Sequence, residues 1–134
     1  MLDTNVVVAA LMWSGPPRQL LQAARERRVE LFTSTPLLAE LTDVLARPKF
    51  APKIAASLLS ADELVERYAA LATVVRPATI PRTAPDPDDD LVIATALAAK
   101  AELVVTGDHA LLTVADHQGV RIVAVNEAVR AVTG

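Results

Sequence analysis

Asp3, Glu40, Asp90 and Asp108 are scattered along the chain, yet each stands at or within an apolar run. Asp3 follows Met1-Leu2, and Glu40 is embedded in Leu37-Leu38-Ala39-Glu40-Leu41. Asp90 precedes Leu91-Val92-Ile93-Ala94, and Asp108 follows Val104-Val105-Thr106-Gly107. Four carboxylates brought together repel one another, which raises their pKa values or unfolds the site unless a cation neutralises them. Oxygen-only ligands with retained waters suit a hard ion, Mg²⁺ or Mn²⁺. The chemistry open to such a group is metal-assisted attack by water and stabilisation of anionic charge.

These acids need elements to position them. Short β-branched or apolar runs alternate with longer helical patterns. Strands are expected at Met1–Asp3, Val29–Thr33, Thr73–Arg76, Glu102–Thr106 and Arg121–Val125. Helices are expected at Pro17–Arg27, Pro36–Ala46, Ala61–Leu71 and Asp89–Lys100, with a short one after Asp108 and a terminal one from Asn126. Pro17 and Pro36 suit first helical turns, and Arg47-Pro48 marks a stop. The alternation predicts an α/β fold, a parallel sheet with helices on both faces. On that scheme Asp3 and Asp108 end the first and fourth strands, and Glu40 and Asp90 lean in from helices. An open α/β sheet binds ligands at that carboxyl edge, where strand order reverses. The first strand is unusually short, because only two residues precede Asp3 and a strand typically needs about five. Either the sheet begins abruptly or natural residues precede Met1.

Each acid also has a plainer use. Asp3 and Asp108 suit turns or helix caps, and Glu40 suits a solvated helix face. In the run Asp86, Asp88, Asp89, Asp90, one or two residues cap the helix. Asp90 lies nearest the apolar run and is the preferred ligand, with Asp86 its substitute. Asn5 and Thr106 are polar supports that fix carboxylate rotamers. His109 and His117 read as surface residues. Trp13, beside Ser14-Gly15-Pro16-Pro17, is a loop anchor or a contact residue, the anchor being favoured.

A length of 134 residues is one domain's worth, and 52% hydrophobic with 22% charged residues describes a globular chain. The absence of cysteine excludes disulfides, thiolate zinc sites and cysteine nucleophiles. Aromatics at 3% leave little for the stacking platforms of OB or RRM modules. No secretory leader or membrane-length apolar run is legible, so the expectation is a soluble cytoplasmic chain. The net charge of −3 is uneven: residues 18–53 carry seven basic against four acidic residues. That +3 flank beside an acidic centre suits phosphate binding next to metal chemistry, although solvated helix faces give the same pattern. Arg47 and Lys49, just after the Glu40 helix, are the first choices for holding those phosphates.

Taken together, four motifs resemble the PIN-domain family in order and spacing over the whole chain. They are Leu2-Asp3-Thr4-Asn5, Leu38-Ala39-Glu40-Leu41, Asp86-Pro87-Asp88-Asp89-Asp90 with Ile93-Ala94-Thr95-Ala96, and Val105-Thr106-Gly107-Asp108. Within the family the chain is similar to toxins of toxin–antitoxin systems of the VapC type. The resemblance implies a Rossmann-like three-layer α/β/α sandwich with a central parallel sheet of order 3-2-1-4-5. It implies Mg²⁺- or Mn²⁺-dependent endoribonuclease activity carried by Asp3, Glu40, Asp90 and Asp108. An antitoxin protein and a homodimer are the implied partners, with the apolar helix face Val6–Leu11 one contributor to the dimer. Many relatives carry a further acid where this chain has Ala110, which bears on whether one or two metals bind. Two rivals stand beside this reading: a non-catalytic binding module of the same fold, and a phosphoryl-transfer site of receiver or dehalogenase-like type. The second would want a lysine after a late strand, and the last lysine is Lys100. No Gly-x-Gly-x-x-Gly follows a strand, which argues against dinucleotide binding.

Overall fold

Asp3 starts the first helix. Its carboxylate accepts the Thr4 backbone N–H at 2.8 Å, capping α1 (Thr4–Met12). The β-branched run Val6-Val7-Val8 would locally favour a strand. Burial overrides that preference, since Val6, Val7, Val8 and Ala10 are all buried. Val6–Leu11 is therefore mostly occupied inside the chain, and the expected dimer face is not available there as a whole. Gly15, at φ 122°, makes the left-handed turn into α2 (Pro16–Arg25).

The computed structural model describes residues 1–81, 83 and 87–133. After α2 come β1 (Leu31–Thr33), α3 (Thr35–Leu45), a 3₁₀ turn (Pro48–Phe50) and α4 (Ala51–Ala56). Next are α5 (Ala61–Leu71), β2 (Ala72–Val74), α6 (Pro87–Ala99) and β3 (Leu103–Val105). The chain ends with α7 (His109–Leu112), β4 (Asp116–His117), β5 (Val120–Val123) and α8 (Val125–Thr133). The expected strand Met1–Asp3 is reduced to a single bridge at Leu2; the other elements anticipated from sequence fall within a few residues of these, and α5 has the anticipated limits. Its entry is fixed by a reciprocal capping box between Ser60 and Glu63. The 3₁₀ turn, α4 and β4 were not anticipated, and α1 was anticipated only as an apolar helix face at Val6–Leu11.

The strands form two sheets among the described residues. β1 pairs with β2 in parallel, and β3 pairs with β5 in parallel, with β4 antiparallel at the outer edge. Leu2 adds a single parallel bridge to Val105. The expected neighbours 3-2, 1-4 and 4-5 are thus present. No ladder pairing joins residues 1–3 to β1, so the pairings present do not by themselves give the order 3-2-1-4-5. The physical reason is length: residues 1–3 make one bridge, too little to span both neighbours.

Side-chain alternation divides the β3–β5 sheet between two cores. Val105 and Val123 join the cluster built by α1, α2, α3, α5 and α8. Val104, Val120 and Ile122 join Val92, Ile93 and Ala96 of α6 and Leu111 of α7. Helices therefore cover both faces of this sheet. A buried pair ties the two sides together: the Ser34 hydroxyl, just before α3, meets Thr95 Oγ1 of α6 at 3.0 Å. Thr95 in turn donates to the Leu91 carbonyl at 2.9 Å, so Ser34 is the donor in the pair. The contact fixes the helix of Glu40 against the helix of the 88–90 acids.

Candidate active site

Asp3 and Asp108 are linked through one hydroxyl. Thr106, fully buried after β3, donates to Asp3 Oδ2 at 2.7 Å and accepts the Asp108 N–H at 3.0 Å. Asp3 N–H pairs with the Val105 carbonyl at 2.9 Å, so the β3 end holds both the backbone and the carboxylate of Asp3. Asp108 Oδ1 accepts the Ala110 N–H at 2.9 Å and caps α7. Asn5 Oδ1 accepts the Gly107 N–H at 3.3 Å, bracing the turn between β3 and Asp108. The capping use and the site use of these acids are thus compatible. Capping engages Asp108 Oδ1, and each carboxylate oxygen has two lone pairs.

Burial pushes the Asp3 carboxyl above the usual range, and the nearby Asp108 charge adds to the rise. The hydrogen bonds from Thr106 and Thr4 oppose it. A buried carboxylate under that pressure gains from a neutralising cation.

The pair opens onto a cleft of about 580 Å³. Its floor is α1, through Thr4, Asn5, Val8 and Ala9, and Glu40 and Asp108 reach it from α3 and the β3 end. From α6 it receives Asp88 and the buried Asp89. Asp90, expected there, is not among the lining residues: its Oδ1 accepts the Thr83 N–H at 3.0 Å. One turn on, Ala94 carbonyl accepts the Ala78 N–H, so the segment before α6 covers the 90/94 face. That segment, with Pro77, Ile80 and Pro81, was the signal in the sequence: extended, partly apolar chain must lie along some face of the next helix. Asp86, the substitute, lies outside the described residues. His109 and His117 do not line the cleft.

The remaining lining is basic and aromatic: Trp13, Arg47, Lys49, Phe50 and Lys53. Arg47, Lys49 and Lys53 are exposed, and Phe50 is buried beneath them. Lys49 and Lys53 ammoniums lie 5.1 Å and 5.0 Å from the Phe50 and Trp13 ring centroids. Sequence reasoning put Arg47 and Lys49 first within a basic stretch that ends at Lys53, and missed Phe50, because the turns that carry residues 48–56 were not anticipated.

Among the described residues, no three His, Cys, Asp or Glu side chains converge closely enough to cage a metal ion as they stand. Mg²⁺ does not require a cage. It is commonly held by one or two carboxylates with waters and substrate phosphate completing the shell. The Asp3–Asp108 pair, all-oxygen and under mutual repulsion, fits that donor set.

An α/β chain with an acidic cleft at the carboxyl ends of its parallel strands is the class of molecule that fold and site define. A family model described as a PIN domain matches residues 1–110, and the chain belongs to the PIN-domain family. The matched stretch contains every cleft residue named above. PIN domains are generally nucleases that use divalent metal ions. No curated protein and no solved structure matches the chain.

Proposed function

We propose that this PIN domain is a Mg²⁺- or Mn²⁺-dependent endoribonuclease, the toxin member of a toxin–antitoxin pair. The observation that carries the nuclease reading is the Asp3–Thr106–Asp108 arrangement on the floor of a cleft whose other side is cationic. Asp3 and Asp108 hold the cation; Thr106 fixes the Asp3 carboxylate and the Asp108 backbone for it, and the Ala110 N–H fixes the Asp108 carboxylate. When bound, Mg²⁺ or Mn²⁺ supplies an acidified water and neutralises charge on the phosphate oxygens. Glu40 and Asp89 orient water at the cleft wall, and Asp90 acts through the segment it ties down. Arg47, Lys49 and Lys53 hold flanking phosphates and set the register of the strand.

The toxin part rests on the motif resemblance. An Arg from a partner segment would meet the acidic floor with paired hydrogen bonds and block it. Inhibition of that kind weakens as Mg²⁺ rises at constant ionic strength. A second copy of the chain is the other proposed partner, by a face other than Val6–Val8. The two sheets also read as parts of one sheet of order 3-2-1-4-5, on the strength of the three pairings present.

The test uses covalently closed circular RNA, which only an endonuclease can open. Purified protein linearises it with Mn²⁺ and fails with chelator or as Asp108→Asn. Intact circles under every condition would leave the second reading, a PIN fold that binds without cutting.

A further inference from the structure

The only tryptophan in the chain is placed in the cleft and left half uncovered. Trp13 follows α1, with 46% of its surface exposed, and lines the same cavity as Asp3. Phe50 meets it in an edge-on contact, with ring centroids 6.2 Å apart and planes at 71°. Lys53 Nζ lies 5.0 Å from its centroid. A loop anchor would bury the indole, and here the anchoring role belongs to Phe50, 7% exposed beneath it. What remains is a braced aromatic surface, flanked by cations, facing the space that leads to the acids. Low aromatic content excludes a platform of several rings, yet one ring suffices for one base.

We infer that Trp13 is a base-stacking subsite for an unpaired nucleotide of the strand whose phosphate lies at Asp3 and Asp108; this rests on the nuclease reading above. Asp3 caps one end of α1 and Trp13 the other. At the helical rise of 1.5 Å per residue they stand about 15 Å apart. The stacked base thus belongs to a nucleotide a few positions from the scissile phosphate. Lys53 at the Trp13 ring and Lys49 at the adjoining Phe50 ring meet the intervening phosphates. Stacking tolerates any base, so the subsite selects for unpaired strand and fixes register without reading sequence.

Because Trp13 is the sole tryptophan, its fluorescence reports this subsite alone. The probes are oligo-uridylate and an abasic oligomer of equal length, titrated with chelator present to prevent cleavage. The base-bearing oligomer quenches Trp13 and the abasic one does not. Trp13→Leu weakens oligo-uridylate binding by about 5- to 150-fold, the span of one lost stack. It leaves abasic binding and the salt slope unchanged, and Trp13→Phe restores part of the affinity. Equal quenching by both oligomers, or undiminished oligo-uridylate binding by Trp13→Leu, overturns the inference. Absence of any quench also overturns it and returns Trp13 to simple packing on Phe50. The fluorescence titration needs only the wild-type chain, so a misfolded variant does not decide the matter. Binding with quench but no cleavage in Mn²⁺ refutes the nuclease reading and leaves the stacking site standing. Normal cleavage with unchanged KM in Trp13→Leu does the reverse.

Discussion

Replacing Thr106 with valine keeps its shape and deletes the hydroxyl that Asp3 and Asp108 share. Two hydrogen bonds go: the 2.7 Å donation to the buried Asp3 carboxylate and the 3.0 Å acceptance from the Asp108 N–H. A bond to a charged group contributes about 1.5–3 kcal/mol and a neutral one about 0.5–1.5 kcal/mol. The expected loss in folding stability at neutral pH is therefore about 2–4 kcal/mol. The loss depends on pH. Asp3's folded pKa is already raised by burial, so the folded state holds its proton longer than the unfolded chain. Its ionisation therefore removes stability as pH rises from the unfolded value through the folded one. The Thr106 hydrogen bond limits that removal, so Thr106→Val raises the folded pKa further and deepens the fall. Below the unfolded pKa both forms are protonated, and the difference shrinks toward the neutral bonds alone. Urea unfolding at acid and at neutral pH, in chelator, measures this, with Thr106→Ser keeping most of the stability. In Mn²⁺ the variant should also lose about 10- to 100-fold in metal affinity or cleavage, the usual effect of removing a group that orients a ligand. A Thr106→Val protein as stable as wild type at neutral pH, with unchanged cleavage, would refute the shared-hydroxyl reasoning.

Other expectations separate the neighbouring groups. Asp89→Asn should lower cleavage at saturating RNA more than Asp90→Asn. Asp90→Asn should instead increase proteolytic sensitivity around residues 78–83; equal kinetic losses with no such change would return Asp90 to the cleft. Thr95→Val strands the buried Ser34 hydroxyl and should cost about 1–3 kcal/mol in denaturant unfolding; a neutral result would mean that water reaches that pair. Arg47→Ala and Lys49→Ala should each make the salt dependence of RNA affinity shallower by roughly one unit, equally for all sequences. An unchanged slope would reduce both to solvated surface charge.

The acids at strand ends were legible because strand and cap signals converge there. A carboxylate between an apolar run and a helix start has few other uses, and Asp3 and Asp108 meet as that pattern suggests. The 86–90 run was harder. Four acids at one helix start all suit its dipole, and only tertiary contact decides which faces the cleft. The extended segment that engages Asp90 through Thr83 is not visible in helical periodicity. Helix α1 shows the opposite limit, since its Val-rich sequence argues locally for a strand and burial reverses it. The turns at residues 48–56 escaped because short helices lack a periodic signal, and with them went Phe50 and the placing of Lys53 over Trp13. Composition bounds the number of aromatic rings and is silent on where the one tryptophan lies, which is the cleft wall.

The central claim is that Asp3 and Asp108 hold a catalytic cation. Its most direct test is the rate of RNA cleavage as Mn²⁺ is titrated, wild type against Asp3→Asn, with both proteins shown to be folded by circular dichroism. The wild-type rate should rise from none in chelator to a plateau, and Asp3→Asn should stay at the chelator baseline throughout. Cleavage by Asp3→Asn that follows the wild-type Mn²⁺ curve would contradict the account.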